Sequence, residues 1–487
     1  MSQLLSKSRY LAGLQCPKYL WIQFHEPERI PEPDAVTQYI FDQGHLVGEY
    51  AKRLFPGGID IPQDDFMGNI VKTKELLIER KPLFEAGILV GEIYSRVDIL
   101  NPVSEDEWDI IEVKSSTGVK DVHIDDVSFQ KYCAERFGLK VRKCLLALIN
   151  GGYVKNGVID PHGLFNIHDA TDQVMTASEG IESTIHAMLA TARSEVCTEV
   201  SIGRYCREPY ECPIVECWEF LPENSIFDLR GGKTKQFSLY EQGILSIRDI
   251  PDHILLSRQQ KIQKECVMTG NVHVEKEEIQ QFLSKLKYPL YYLDFETIGP
   301  AIPIYDGTKP YQDIPFQFSL HVVENDASEP IHHSFLAEGR DDPRPQLLSA
   351  LKELLGSEGS IVAYNSGFEG GILRELAEAF PEYTGWLEDI LTRIVDLLAP
   401  FSNFHYYNAS QKDTASLKRV LPAITGKGYE EMGIGAGMDA SIAYERITYG
   451  NATQEEISQV RADLLKYCKL DTEGMVWIVE KLRGLCQ

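Results

Sequence analysis

Residues 95–117, SRVDILNPVSEDEWDIIEVKSST, decide how the first part of this chain is read. Upstream alternation in GILVGEIYSRVDIL, from Gly87, predicts a strand over 88–100. NPVSEDE is a polar turn and WDIIEVK, 108–114, a second strand, so the two form a hairpin. Strand side chains alternate faces, so Glu112 and Lys114 point one way and Val113 the other. Asp98, at the end of the first strand, sits beside them across the hairpin. Two carboxylates and a lysine converging there make a site for Mg2+ or Mn2+, where a metal polarises a phosphodiester and the lysine orients water or stabilises developing charge. A helix across VSFQKYCAERFGL, capped by Asp125 or Asp126, and a buried strand KCLLALIN, 143–150, follow.

The 487 residues are 43% hydrophobic and 25% charged, the composition of a soluble globular protein of roughly three domains. No run approaches the ~18 apolar residues of a membrane span. MSQLLSKSRYLAGLQC reads as no secretory signal, so a cytoplasmic protein is expected. With 48 Lys+Arg against 73 Asp+Glu, a net of -25, bulk charge excludes non-specific nucleic-acid binding. Contact with nucleic acid then needs metal ions or local clusters such as Lys140, Arg142, Lys143 or Arg230, Lys233, Lys235. Ten cysteines are too few for a disulfide scaffold. Cys206, Cys212 and Cys217 crowd together, and Cys16 in LAGLQCPKYLW is the candidate fourth ligand of a metal or cluster site. Zinc, or nothing, is the alternative there; the other six cysteines read as core.

Three segments are expected: 1–220, a helical linker over 221–284, and 285–487. Within the linker, LYEQGILSIRDIPD (239–252) has the look of half a helix–hairpin–helix. The third segment alternates apolar strands (PLYYLDFET, QFSLHVVE, SIVAYN) with amphipathic helices, an α/β pattern. Asp294 and Glu296 share one strand face, Asn365 and Glu369 lie at a strand-to-helix turn, and Tyr467 and Asp471 share a helix face. Four carboxylates and a tyrosine then meet at strand ends, as two-metal hydrolysis requires. Asp396 in RIVDLLAPF supports this site or only caps the chain that follows it. The glycine-rich stretch 428–439 lacks a nucleotide-binding pattern.

SRVDIL, IIEVKSST and Gln130 in SFQKY together resemble the PD-(D/E)xK nuclease core of the RecB-like branch. The resemblance implies metal ligands Asp98 and Glu112, catalytic Lys114 and Gln130 in the helix motif; the family's GxxxH histidine position is Gly48 here, and His45 in FDQGH is the nearby candidate metal ligand in its place. QCPKYLW and RYCREPYECPIVECW look like the flanks of the iron–sulfur type, which implies a 4Fe–4S cluster on Cys16, Cys206, Cys212 and Cys217. LDFET, NSGFE and YCKLD resemble the three motifs of DEDDy, RNase H-like 3′–5′ exonucleases, with Glu369 where that class has Asp. The resemblance implies metal ligands Asp294, Glu296, Glu369 and Asp471, with Tyr467 orienting water. A chain with both halves is similar to a bacterial and archaeal family known only as a RecB-like nuclease plus a domain of unknown function. The expected activity is metal-dependent hydrolysis of nucleic acid, DNA at single strands or ends. The competing expectation is a nucleic-acid- or partner-binding protein with one or both sites dead, and a minor one is a cluster-based redox sensor.

Overall fold

A computed structural model describes residues 4–429, 434–435 and 437–487. Positions 430–433 and 436 of the glycine-rich stretch therefore lie outside the described residues. The chain forms two compact units, Met1–Phe220 with Pro300–Gln312, and Leu221–Gly299 with Asp313–Gln487. The stretch 221–284 thus groups with the C-terminal unit rather than standing apart as a linker. Residues 300–312 leave the third segment for the first unit, where Ala301 and Ile302 join an apolar cluster with Val47 and Ile149.

The first unit holds a seven-stranded mixed sheet: β1 Leu5–Ser6, β2 Ile59–Asp60, β3 Leu83–Val90, β4 Ile93–Pro102, β5 Glu107–Lys114, β6 Lys140–Ile149 and β7 Phe165–Asp169. The order is β2-β3-β4-β5-β6-β7, with β1 parallel to the start of β4. The stretch expected as one strand over 88–100 is instead the end of one hairpin arm and most of the next. Val90 pairs with Ile93, so the chain reverses at Gly91 and Glu92, and Gly91 takes the positive φ of 58° that such a reversal needs. The expected hairpin survives as β4–β5, with Ile99 opposite Ile111. Because β3 runs along one edge of β4, β1 and β5 share the other. They pair with Ile93–Tyr94 and Ile99–Pro102 and leave a fork between them, at which Asp98 stands.

The helix after β5 begins at Asp121, with Lys120 at its N-cap, so neither Asp125 nor Asp126 caps it. Its Val127, Phe129 and Cys133 are buried against Cys144 and Leu146 of β6. That packing turns Asp126 and Gln130, four residues apart, toward the end of β5.

In the second unit, β8 His273–Val274 pairs with β14 Tyr406–Tyr407. The main sheet is β9 Leu290–Ile298, β10 Ile314–Val323, β11 Ile331–Leu336, β12 Ser360–Ala363 and β13 Ile394–Asp396, in the order β11-β10-β9-β12-β13. β9, β10 and β11 are antiparallel neighbours, whereas β12 runs parallel to β9 and β13. The 33-residue helix Gln454–Cys486 starts in a Thr453–Glu456 capping box. Its Met475, Val476 and Val479 pack on Leu290, Tyr292 and Val362 of the sheet. In 239–252 the helix Lys233–Glu241 ends before Gly243, at φ 77°, and only a single tight turn, Ile247–Asp249, follows. Among the described residues, no helix is long and apolar enough to cross a membrane.

Candidate functional site

At the fork in the first sheet, Asp98, Glu112, Lys114 and Gln130 come together. Asp98 Oδ2 accepts the Val113 N–H at 2.9 Å. Lys114 Nζ donates to Glu112 Oε1 at 2.6 Å and to Asp126 Oδ2 at 2.5 Å. Gln130 Nε2 bridges Glu112 Oε2 at 2.6 Å and Asp126 Oδ1 at 2.9 Å. Two members were not foreseen. Asp126, read as a cap, is buried in the group, and its spacing four before Gln130 was the available signal. Lys7 arrives from the N-terminal helix Lys7–Gln15 and donates to Glu112 Oε1 at 2.9 Å. His45 lies exposed on the helix Ala35–Lys52 and makes no hydrogen bond or ion pair with these carboxylates among the described residues.

The electrostatics follow from that mixture. Burial alone would raise the Glu112 carboxyl, but Lys114, Lys7 and the Gln130 hydrogen bond outweigh it and hold it well below the usual range. Burial and then the Glu112 charge push Asp98 up to about 7, against the pull of Lys7 and Lys114. Asp126 is raised by the same two causes.

In the second unit, Asp294 and Glu296 lie one residue apart on β9, and Glu369 lies in the first turn of the helix Gly367–Ala379. Tyr467 and Asp471 lie on the helix Gln454–Cys486. Among the described residues, Asp294, Glu296 and Cys468 are the group of metal-ligating side chains whose ligand atoms all lie within 4.8 Å of one another. Cys468 had been read as core. It is fully buried, but its Sγ faces Asp294 Oδ2 at 3.5 Å, on the helix face shared with Asp471 three residues on. Asp471 and Glu369 stand outside that tightest group, yet their charges act on it. Burial, then Asp471, Glu296 and Glu369, raise Asp294 well above its ordinary range. Burial and Asp471 do the same to Glu296. Asp471 is pushed up by burial to about 7, although the Tyr429 hydroxyl donates to it and Lys418 lies nearby. Burial lifts Glu369 to about 8. Tyr467 is raised by burial and by Asp471, Glu296 and Asp294, which keeps its phenol protonated.

Among the described residues, none of these four carboxylates makes an ion pair, and Glu369 Oε2 is buried without a hydrogen-bond partner. A carboxylate oxygen buried without a partner, and two strand carboxylates, Asp294 and Glu296, whose oxygens lie within 4.8 Å of each other, are donors that fit a divalent cation. Asp396 has a supporting task. Its Oδ1 accepts the N–H groups of Asn365 (3.0 Å) and Leu398 (2.9 Å), fixing the turn where Asn365 sits at φ 70° ahead of Glu369.

Cys16, Cys206, Cys212 and Cys217 all lie in the first unit and are free thiols. Burial and then Cys16, Cys206 and Cys217 push Cys212 up to about 11, after a backbone hydrogen bond pulls the other way. Cys197, one of the six read as core, packs with Cys212 and Cys217 against Trp21, Ile22 and Ile214.

Residues 291–416 match a family described as a domain of unknown function, DUF2779. The match takes in Asp294, Glu296 and Glu369 and stops short of Tyr467 and Asp471. The chain is similar to uncharacterized protein UU173 of Ureaplasma parvum serovar 3, 26% identical over 228 residues, which is 41% of this chain and 32% of that protein. It is 27% identical over 218 residues to the uncharacterized MG366 homolog of Mycoplasma pneumoniae, 40% of this chain and 32% of that protein. The chain thus spans about a third of the length of these relatives.

Proposed function

We propose that this chain is a metal-dependent nuclease that hydrolyses phosphodiester bonds of nucleic acid, DNA in the first instance, and that its main site is the carboxylate set of the second unit. The observation that carries the reading is the close approach of Asp294 and Glu296 on β9, which among the described residues make no ion pair, with Asp471 and Glu369 near enough to act on Asp294 by charge and Glu369 Oε2 orphaned. These residues would hold Mg2+ or Mn2+, which when bound supplies an activated water and a counter-charge for the leaving oxygen. Tyr467, kept protonated by the carboxylates around it, donates a hydrogen bond to a water or phosphate oxygen. The sheet supports the RNase H-like, DEDDy-type assignment: the strands run third, second, first, fourth, fifth, and only the second is antiparallel to the first. A helix, the antiparallel run β3–β4–β5, a second helix and a parallel β6 support a RecB-like PD-(D/E)xK core in the first unit. Cys16, Cys206, Cys212 and Cys217 would hold a 4Fe–4S cluster, a reading supported by the charge that the other three thiols exert on Cys212.

The experiment is incubation of purified full-length chain with 5′-labelled single-stranded DNA and RNA in Mg2+ or Mn2+, beside Asp294→Asn. A ladder of 3′-shortened products, reduced about 100-fold or more in the variant, is expected. A wild type that binds but never shortens either strand would favour the second reading, a nucleic-acid-binding protein, to which the ammonium-filled first site lends its own support.

A further inference from the structure

We infer that Lys7 is a built-in cation of the first carboxylate set, seated where it competes with a divalent ion, so that the set takes a metal only when Lys7 withdraws. This rests on the reading of Asp98 and Glu112 as metal ligands. The Lys7 ammonium lies 2.9 Å from Glu112 Oε1, 3.6 Å from Asp126 Oδ1 and 3.8 Å from Asp98 Oδ1. It therefore reaches all three carboxylates at once, as a metal bridging them would. Lys114 touches two of them, Glu112 and Asp126, and shares with Lys7 the same Glu112 oxygen.

The position of Lys7 is built by the fold. Leu5 and Ser6 form β1, in register with Ile93 and Tyr94 on the edge of β4 that β5 leaves free. Ser6 then caps the helix by accepting the Arg9 N–H, and Lys7 is the first helical residue. The backbone is thus fixed on both sides of Lys7, and its side chain enters the fork beside Asp98. Charge balance states the competition. Three carboxylates facing two ammoniums carry a net charge of one minus, and a divalent ion would leave an excess of positive charge. With Lys7 withdrawn, the three carboxylates and Lys114 carry two minus charges, the complement of one divalent ion. At these separations each displaced cation is a large effect in a half-buried site.

The test uses the full chain with the second set disabled by Asp294→Asn and Asp471→Asn, titrated with Mn2+ and read by the electron paramagnetic resonance of free ion. Adding Lys7→Ala should tighten Mn2+ binding about tenfold or more, and Lys7→Arg should leave it near the parent value. Equal affinity with and without Lys7 would overturn the competition while leaving the metal-site reading standing. Equal affinity together with weakened binding of a DNA oligonucleotide would make Lys7 a phosphate ligand instead. Absence of binding in every version would overturn the metal-site reading and this inference with it. A second measurement needs no substitution at Lys7, whose side chain is 24% exposed. Acylation of Lys7 by an amine-reactive ester, followed by peptide mass spectrometry, should be slow in chelator and faster when Mg2+ is added. A rate indifferent to Mg2+ would contradict displacement.

Discussion

The two carboxylate sets start from the same local device, a pair of acidic residues brought near one another at a sheet, and end in opposite electrostatic states. In the first unit, Glu112 is met by Lys7, Lys114 and Gln130, and its carboxyl is held far below the ordinary range. In the second, burial raises Asp294, Glu296 and Asp471, the Asp471 charge adds to the first two, and with Lys418 as a nearby cation none of the three makes an ion pair among the described residues. Strand periodicity places the acids; what decides their state is the residue that arrives from far along the chain, an ammonium in one unit and a thiol and phenols in the other. On the proposed reading, a compensated set is a structural ion cluster until a cation leaves it, whereas an uncompensated set would receive one.

This contrast predicts mutations of opposite sign. Glu112→Gln leaves two ammoniums short of their shared acceptor in a site where Glu112 is almost wholly buried, and should cost about 3–5 kcal/mol in urea unfolding of the first unit. Asp294→Asn removes one of several repelling charges, and should stabilise the metal-free second unit by an amount on the order of 2 kcal/mol. A loss of stability in both variants would break the comparison.

The pH dependence sharpens it. Asp471 and Glu369 have ordinary values near 3.8 and 4.5 and stand at about 7 and about 8 in the folded chain. The folded state then holds protons that the unfolded state has released. Their contribution is full below the unfolded values and is lost as pH rises through about 7 to 8. In chelator, the second unit should unfold at lower urea at pH 8.5 than at pH 5, and Asp471→Asn should flatten that slope. Glu112, being depressed, acts the other way: its contribution is present above its ordinary value of 4.5 and lost in acid. The smallest effect expected is that of Tyr429→Phe, which deletes the hydroxyl donated to Asp471. It should cost about 1 kcal/mol of stability and raise the Asp471 pKa further, readable by carbonyl NMR of the carboxylate.

Much of both sites was legible because it rests on short-range periodicity. The alternation Glu112, Val113, Lys114 and the repeat Asp294, Phe295, Glu296 declare shared faces, and Tyr467 with Asp471 declares a helix face. The reversal at Gly91 was missed because apolar residues run on through both arms, so only the glycine marks the break. Asp126 was misplaced because the helix begins earlier, at Asp121, where no side chain of the usual capping type precedes it. Lys7 and Tyr429 left no pattern to read: each reaches its site across 105 and 42 residues of sequence, and only the fold connects them. The extra strands β2, β7 and β11 are short or largely exposed with no regular alternation of burial, too weak a period to separate from loop.

The claim at the centre is that the uncompensated set of the second unit is a divalent-metal site. The most direct measurement is Mn2+ titration of the full chain at pH 7.5, with unfolding followed in parallel. Wild type should bind Mn2+ and gain about 2.7 kcal/mol at a free concentration one hundred times the dissociation constant. Asp294→Asn with Asp471→Asn should lose both the ion and the gain. Undiminished binding and stabilisation in that double variant would place the metal elsewhere and contradict the account.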